Sequence, residues 1–331
     1  MDHILEVENL KMFYQSKTET VRAVNDVTFS IREGETFGLV GESGCGKSAT
    51  CRTLLRLMPE PGKVVGGSIR YKGEDILALS EKQMRAIRGS EIGMIFQDPM
   101  TALNPVLKIK TQMFEALKGQ GLDKKQMYDR GVELLRLVDI PEPEKRMEEY
   151  VHQFSGGMRQ RVMIAIALAA QPKLLLADEP TTALDVTIQD QIIRLINRLK
   201  KELGMSIILI THDLGVVNEM CDRVAVMYAG HIVEETETRT LFEHPCHPYT
   251  LGLINSLPQE NDKREKLEPI PGAPPNLADD IPGCPFAPRC PYATAQCQES
   301  LPPMQEVAMG HQVRCFHALN LQKTVPGGDN Q

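Results

Sequence analysis

One stretch near the amino terminus combines glycines with a lysine and a serine in the order that binds phosphate. Residues 41–48 read Gly-Glu-Ser-Gly-Cys-Gly-Lys-Ser, which matches the phosphate-loop pattern G-x-x-x-x-G-K-[ST]. Its glycines let successive backbone N–H groups face one anion. Lys47 would reach the β- and γ-phosphates of a nucleotide, and the hydroxyl of Ser48 would ligate Mg²⁺. The stretch therefore predicts a nucleotide site.

The flanking segments are the elements that such a loop needs. Residues 35–40 form a short apolar run that predicts a buried strand, and residues 49–57 carry apolar side chains at helical spacing. The amino-terminal end of the helix would add its positive dipole end to the phosphate site. A glycine-rich turn that contains Lys-Ser by chance would lack these flanks.

Polar side chains also close three further predicted strands. Asp178 and Glu179 end the apolar run 174–177, Gln97 ends the run 92–96, and His212 follows the run 206–211. Two acids beside a phosphate loop suit Mg²⁺ binding through water, for Asp178, and activation of the attacking water, for Glu179. A single Gln or His is weak evidence by itself, but a shared sheet edge would bring these side chains to one ligand.

A second anion-binding helix start is predicted at Ser155-Gly156-Gly157, ahead of the apolar helix 162–170. Ser155 is a good N-cap, and the two glycines would leave the first N–H groups uncovered. A plain helix cap needs the serine but not the glycine pair. Residues 105–150 have helical periodicity, and Asp185 lies in a turn after the acids.

Composition narrows the class of protein. The 331 residues are 42% hydrophobic and carry a net charge of −7, which disfavours nucleic acid as the main partner. The longest apolar run is about half of the roughly 20 residues that a membrane-spanning helix needs. The first residues lack the basic and apolar regions of a signal peptide. We therefore expect a cytoplasmic protein whose cysteines stay reduced.

Proline content changes along the chain. Of 22 prolines, 14 lie after residue 240. Residues 1–240 are expected to form an α/β domain with a helical insertion at about 100–160, and residues 241–331 a loop-rich extension. Residues 258–283 have the composition of a linker or a surface loop.

Four cysteines of the extension could bind a metal. Cys284, Cys290, Cys297 and Cys315 are spaced more widely than the C-x₂-C pairs of zinc ribbons. Four thiolates in a reducing compartment suit a [4Fe–4S] cluster, which would help to fold a segment with little apolar core. A structural Zn²⁺ and four free thiols are the alternatives. Cys45, Cys51, Cys221 and Cys246 are scattered and are not expected to be ligands.

The motifs occur in the order phosphate loop, Gln97, Ser155-Gly156-Gly157, Asp178-Glu179, Asp185 and His212. In this order they resemble the ATP-binding subunit of an ABC transporter. The resemblance implies a RecA-like cassette in which Glu179 is the catalytic base, Gln97 the Q-loop residue and His212 the switch residue that contacts the γ-phosphate. It makes Asp185 the D-loop residue and Met158 a departure from the commonest signature. It assigns contacts with ATP and Mg²⁺ to Tyr14, which would stack on adenine, and to Gly41, Ser43, Gly44, Cys45, Gly46, Lys47, Ser48, Ala49, Gln97 and Asp178.

The extension contains His247-Pro248-Tyr249, which is similar to the extension of oligopeptide and dipeptide importer ATPases. That subfamily implies peptide import and a [4Fe–4S] cluster on the four cysteines. It also implies a second ATPase subunit in a head-to-tail dimer, with each signature Ser155-Gly156-Gly157 on the ATP of the other subunit. Two transmembrane permeases and, indirectly, an extracytoplasmic solute-binding protein complete the expected complex, at the cytoplasmic face of the membrane.

Other functions are compatible with part of this pattern. Import of nickel or oligosaccharides would use a near-identical engine. ABC ATPases of DNA repair or translation carry coiled-coil insertions or two cassettes, which this sequence lacks. A regulatory module that only binds ATP would have no use for Glu179, and exporters usually fuse the cassette to spanning helices.

Overall fold

The structure is a computed structural model that describes residues 3–182, 184–257 and 270–318. Its strands are β1 (His3–Gln15), β2 (Thr20–Arg32), β3 (Thr36–Val40), β4 (Gly62–Tyr71), β5 (Glu74–Asp75), β6 (Ile92–Ile95), β7 (Leu174–Asp178), β8 (Ser206–Thr211), β9 (Arg223–Tyr228), β10 (His231–Glu237), β11 (Gln305–Ala308) and β12 (His311–Val313). Its α-helices are α1 (Lys47–Leu54), α2 (Glu81–Ile87), α3 (Pro99–Ala102), α4 (Ile109–Leu117), α5 (Lys124–Leu137), α6 (Pro143–Arg146), α7 (Gly156–Ala167), α8 (Val186–Leu203), α9 (Leu214–Met220), α10 (Thr238–Glu243), α11 (Pro248–Asn255) and α12 (Ala295–Glu299).

These elements confirm the predicted α/β class. No helix in the described ranges combines the length and the apolar character required to cross a membrane. Residue 183 of the predicted turn and residues 258–269 of the predicted linker lie outside the described residues.

The chain divides into two compact units. Unit 1 comprises the first residues of β1, Ile31–Thr36 and Glu74–Ile210, and unit 2 comprises Leu5–Ser30, Phe37–Gly73 and the chain from Thr211 onward. This division does not follow the boundary near residue 240 that the composition suggests. That boundary stays a prediction.

Unit 1 is built on the parallel strands β6, β7 and β8, which are neighbours in that order. All residues of these strands are buried, as expected for parallel strands, whose two faces are both covered. Helix α8 follows β7 along the chain, beginning at the N-cap Asp185 and ending at Gly204 with a left-handed φ of 62°. Helices α3 to α6 and the start of α7 occupy the predicted helical insertion, where α4, α5 and α7 pack on one another.

Unit 2 contains two groups of strands. In one group, β3 pairs in parallel with β9, and β9, β10, β12 and β11 follow in antiparallel order. In the other, β1 lies between β2 and β4. Because β12 comes from the extension and β10 precedes residue 240, the extension adds strands to this unit and is more than a set of loops.

Candidate functional site

The predicted phosphate loop connects β3 to α1. Two of its glycines adopt backbone conformations that side chains rarely take, with φ of +151° at Gly41 and +109° at Gly46. A Cβ at Gly41 would lie 2.1 Å from the carbonyl oxygen of Met227, and one at Gly46 would lie 2.1 Å from that of Ala23. The loop therefore fits between β9 and β2 only with glycine at both positions.

The lysine of the loop is buried and is held by the loop itself. Lys47 Nζ donates hydrogen bonds to the carbonyl oxygens of Gly41, at 2.7 Å, and Glu42, at 2.9 Å. Burial raises the pKa of the neighbouring Cys45 thiol, although Lys47 opposes the shift. Cys45 is thus a neutral packing residue in the loop and not a reactive thiolate.

The other residues of unit 2 that are predicted to contact ATP lie at the tip of the loop, at the start of α1 and on β1. Ser43 and Gly44 are exposed at the tip of the loop, and Ser48 and Ala49 are half-buried in the first turn of α1. Tyr14 lies on β1 opposite Gly62, half-buried. A Cβ at Gly62 would lie 3.0 Å from the Tyr14 ring, so the ring is packed against the glycine backbone.

In unit 1 the structure brings together two polar residues that are far apart in sequence. Gln97 Nε2 donates a hydrogen bond of 2.9 Å to Glu179 Oε2, and the hydroxyl of Thr182 donates one of 2.8 Å to the same oxygen. Nothing in the local sequence around Thr182 indicates this contact. The carboxylate of Glu179 is therefore oriented from two sides.

The backbone at Glu179 is in the left-handed region, with φ of 47°. This conformation is uncommon for a residue with a side chain and is often found at functional sites. Its N–H donates to the carbonyl oxygen of Ile210 at the end of β8, at 2.9 Å. The preceding residue, Asp178, is buried at the end of β7. The two predicted acids thus differ in environment, with Glu179 the more accessible.

The predicted signature forms the start of α7. Ser155 is the N-cap, and its hydroxyl accepts a hydrogen bond from the N–H of Met158 at 3.4 Å. Ser155 and Gly156 are exposed, while a Cβ at Gly157 would lie 3.0 Å from Ile188 of α8. The serine acts as the predicted cap, and Gly157 also permits close helix packing.

Two further predicted site residues begin helices or precede them. Asp185 caps α8 by accepting a hydrogen bond from the N–H of Ile188 at 2.9 Å. His212 is exposed directly after β8 and before Asp213, the N-cap of α9. Neither position contradicts the predicted role.

The four cysteines of the extension lie near one another. Burial is the main cause that raises the pKa of Cys315 to about 12, and negative charge on Cys284, Cys290 and Cys297 contributes to the same rise. Burial likewise raises the pKa of Cys284 and of Cys290. Cys284, Cys290 and Cys315 are therefore protonated unless a metal stabilises their thiolates.

Another cluster of side chains that could ligate a metal is more compact than the four cysteines. Glu234, Cys246 and His311 are buried, with ligand atoms within 4.8 Å of one another, and they form the one such group in the described ranges. Glu234 already accepts hydrogen bonds from His311 Nε2, at 2.8 Å, and from the N–H groups of Cys246 and His247, at 2.6 and 2.9 Å. These bonds make Glu234 the anchor of the His-Pro-Tyr segment, a role that the sequence did not reveal.

The chain matches two protein-family models and is similar to known ATP-binding proteins. The family model for ABC transporters matches residues 24–182, and the model for the C-terminal region of oligopeptide/dipeptide transporters matches residues 233–297. A probable peptide ABC transporter ATP-binding protein of Sinorhizobium fredii is 49% identical over 320 residues, 96% of each chain. The oligopeptide transport ATP-binding protein of Salmonella typhimurium is 48% identical over 314 residues, 95% of this chain and 93% of that one.

A solved structure is also similar. It is a dimeric ATP-binding cassette in a post-hydrolysis state, bound to ADP and phosphate. It aligns with a TM-score of 0.63 at 28% identity over 71% of this chain and 99% of the cassette.

Proposed function

This chain belongs to the family of ATP-binding proteins of peptide ABC transporters, and we infer that it hydrolyses ATP to energise the import of di- and oligopeptides. The observation that carries this inference is identity of 48–49% across at least 95% of the chain, extension included. The relatives' names refer to peptides, so the alternatives of nickel or oligosaccharide import and of a non-transport ATPase lose support.

We propose that the phosphate loop binds ATP and Mg²⁺. Lys47 would exchange its bonds with the loop carbonyls for the β- and γ-phosphates, and Ser48 would ligate Mg²⁺. Asp178 would hold Mg²⁺ through water. Tyr14 would stack on the adenine, and the backbone of residues 41–49 would follow the phosphates.

For the chemical step we propose Glu179 as the general base. The oxygen of a water molecule forms a bond to the γ-phosphorus, the bond from that phosphorus to the bridging oxygen breaks, and ADP leaves with the electron pair. Glu179 takes the proton of the water. Gln97, which already contacts Glu179, would orient the water, and His212 would contact the γ-phosphate.

We propose that a second cassette completes each ATP site. The exposed start of α7, with Ser155, Gly156 and Gly157, presents free helix N–H groups that suit a phosphate, and Asp185 would lie at the same interface. The similar solved cassette is a dimer bound to ADP and phosphate, which supports this arrangement. The partner would be an identical or a homologous ATPase.

The permease contact is proposed for an apolar surface next to Gln97. The segment 96–106 exposes three large apolar side chains, which we call the Phe96 surface: Phe96 at 38%, Met100 at 46% and Val106 at 76%. Phe96 also lines a cavity of about 340 Å³, together with mainly apolar side chains of β6, α7 and the segment 102–107. Exposed apolar patches mark interaction sites. A permease bound here would lie next to Gln97, which contacts Glu179. Binding to a permease would also place the subunit at the cytoplasmic face of the membrane.

We propose a [4Fe–4S] cluster for Cys284, Cys290, Cys297 and Cys315. Tetrahedral zinc with Zn–S bonds of about 2.3 Å would bring the sulfurs to roughly 3.8 Å from one another, but these four do not form a group within 4.8 Å. A cluster spreads its ligands more widely and therefore fits better. When bound, it would supply the cross-links that hold the extension together.

Transport assays test the proposed function. The chain would be assembled with its permeases, a second ATPase and the solute-binding protein in vesicles, and ATP-dependent uptake of a labelled tripeptide would be compared with uptake of Ni²⁺ and of a trisaccharide. Uptake of the peptide alone is expected. Uptake of Ni²⁺ or of the sugar without the peptide would overturn the solute, and no ATP-dependent uptake by a complex that assembles would overturn the function.

A further inference from the structure

One residue of the phosphate loop is held from the distant extension. The guanidinium of Arg289 forms two hydrogen bonds with the carboxylate of Glu42, Nη1 to Oε2 at 2.7 Å and Nη2 to Oε1 at 3.0 Å. The backbone N–H of Glu42 donates to the hydroxyl of Tyr249 at 2.8 Å. The carbonyl oxygen of Glu42 accepts from Lys47 Nζ. Side chain, N–H and carbonyl of Glu42 are thus all fixed.

Burial and further hydrogen bonds hold the arginine of this ion pair in place. The Arg289 side chain is only 5% exposed, and its other hydrogen bonds go to the carbonyl oxygens of Pro271, at 2.9 Å, and Ile270, at 3.3 Å, and to the hydroxyl of Tyr228, at 3.3 Å. A two-bond arginine–carboxylate pair fixes direction as well as distance. With its arginine buried and Glu42 half-buried, the pair holds the loop residue in one orientation.

Arg289 belongs to the cysteine-bearing segment itself. It lies between Cys284 and Cys290 in a short 3₁₀ turn, Ala287–Arg289. Phe286, from the same segment, packs against the rings of Tyr228, at 5.3 Å between centroids, and Tyr249, at 5.4 Å. The segment therefore supports both groups that contact Glu42.

Tyr249 is also held by hydrogen bonds that do not involve the cysteine-bearing segment. It is fully buried in α11, next to the N-cap His247, whose Nδ1 accepts the N–H of Tyr249 at 3.1 Å. The N–H of His247 is bound by Glu234, which also contacts His311 of β12. A chain of buried hydrogen bonds thus runs from the added strand to the phosphate loop.

We propose that Arg289 and Tyr249 are positioning residues of the ATP site, and that the extension thereby sets the affinity of the phosphate loop for ATP in its own chain. Displacing Glu42 would move a carbonyl that holds Lys47 and would turn the loop N–H groups that face the phosphates. The proposal rests on the proposed ATP-binding function.

A double-mutant cycle on Arg289 and Glu42 tests it in the full chain, with the Kd of a fluorescent Mg·ATP analogue as the readout. Arg289→Lys keeps the charge but loses the paired geometry, and it is expected to weaken binding by about 10-fold, within the usual range of coupling between sites. Glu42→Gln should weaken binding similarly, and the double variant no further. Tyr249→Phe, which loses the acceptor for the Glu42 N–H, should also weaken binding.

Arg314→Lys is the matched control. Arg314 is another buried arginine of the extension, bonded to Ile232, Pro302 and Asp26 and to no residue of the phosphate loop. Its substitution should leave the Kd unchanged even where it lowers the melting temperature.

The possible results distinguish failure of the positioning role from failure of the proposed ATP binding. Wild-type affinity in Arg289→Lys, or a full effect of Arg289→Lys in the Glu42→Gln background, would overturn the positioning role and leave ATP binding intact. A wild-type chain that binds no ATP would overturn the proposed function together with this inference. If Arg289→Lys does not fold, Glu42→Gln decides, because it weakens the same pair from the exposed loop.

Discussion

The amide of Gln97 donates a 2.9 Å hydrogen bond to the carboxylate of Glu179 across 82 positions of sequence. Gln97 follows β6 and Glu179 follows β7, and these strands pair in parallel. A change in the loop after β6 would therefore act directly on the proposed base. Because Gln97 directly follows Phe96, this contact links an exposed apolar residue of unit 1 to the proposed base.

The first prediction concerns Glu179 as the base. Glu179→Gln should lower ATP hydrolysis by about 10²–10⁴-fold, because the amide cannot accept the proton of the water. The Kd for ATP should stay as in the wild type, since Lys47 and the loop glycines are untouched. Glu202→Gln, at an exposed position of α8, is the control. Normal hydrolysis by Glu179→Gln would refute the assignment.

A second prediction follows from the packing of Gly46. Gly46→Ala should abolish ATP binding and lower the free energy of unfolding, because the new Cβ would lie 2.1 Å from the carbonyl of Ala23. Gly73→Ala is the control, with a similar positive φ of 82° and nothing within 4 Å. It should cost only the backbone strain, about 1–2 kcal/mol. Urea unfolding and nucleotide binding measure both variants, and equal losses would contradict the steric explanation.

The sequence was sufficient to predict what depends on local pattern. The apolar run before the loop, the glycines and the helix after it predict β3, the phosphate loop and α1, and Ser155 and Asp185 have the residue types of helix caps. Contacts between distant residues carry no such local signal. The pairing of Arg289 with Glu42, the bond from Gln97 to Glu179 and the pairing of β12 with β10 depend on how distant parts of the chain meet. The left-handed backbone of Glu179 is also set by its tertiary surroundings.

Buried histidines predict how stability depends on pH. Burial lowers the pKa of His247 to about 3, and burial together with Arg314 lowers that of His231 to about 4. Both are neutral in the fold but take up protons below about pH 6.5 when unfolded. The free energy of unfolding should therefore fall as the pH drops from about 6.5 to 4, by about 1.4 kcal/mol per pH unit for each histidine.

His247→Asn tests this slope, because the amide oxygen can still cap α11 but does not titrate. Urea unfolding between pH 7 and pH 5 should show a shallower loss than in the wild type, with His244→Asn, at an exposed position, as the control. An unchanged slope would mean that His247 does not resist protonation.

His311 affects the pH dependence of stability in the opposite direction. Burial would lower its pKa, but hydrogen bonds with Cys246 and Glu234 raise it to about 9, so its stabilisation is lost as the pH rises from about 6.5 to 9.

The cysteine assignment predicts metal content. Anaerobic purification should yield about four irons and four sulfides per chain, with little zinc. Replacing Cys284, Cys290, Cys297 or Cys315 by Ser should lower the iron content and the melting temperature together. Cys51→Ala, at a buried position in α1, should leave the iron content unchanged. Zinc in place of iron, or iron retained by all four Ser variants, would refute the cluster.

The last prediction concerns the Phe96 surface. Val106 is its most exposed residue, at 76%, and it lies outside the proposed machinery of hydrolysis. Val106→Gln should therefore keep the basal ATPase rate of the isolated subunit while weakening its binding to permease-containing vesicles and the stimulation of hydrolysis by the permeases. Burying one Val side chain is worth about 1.5–3 kcal/mol, so its loss should weaken association by roughly 10-fold or more. Val65→Gln, at an exposed position of β4 in unit 2, provides the matched control, because it makes the same change away from this surface. If both variants associate equally well with the vesicles, the permeases bind elsewhere, and Gln97 would not be the route by which they reach Glu179.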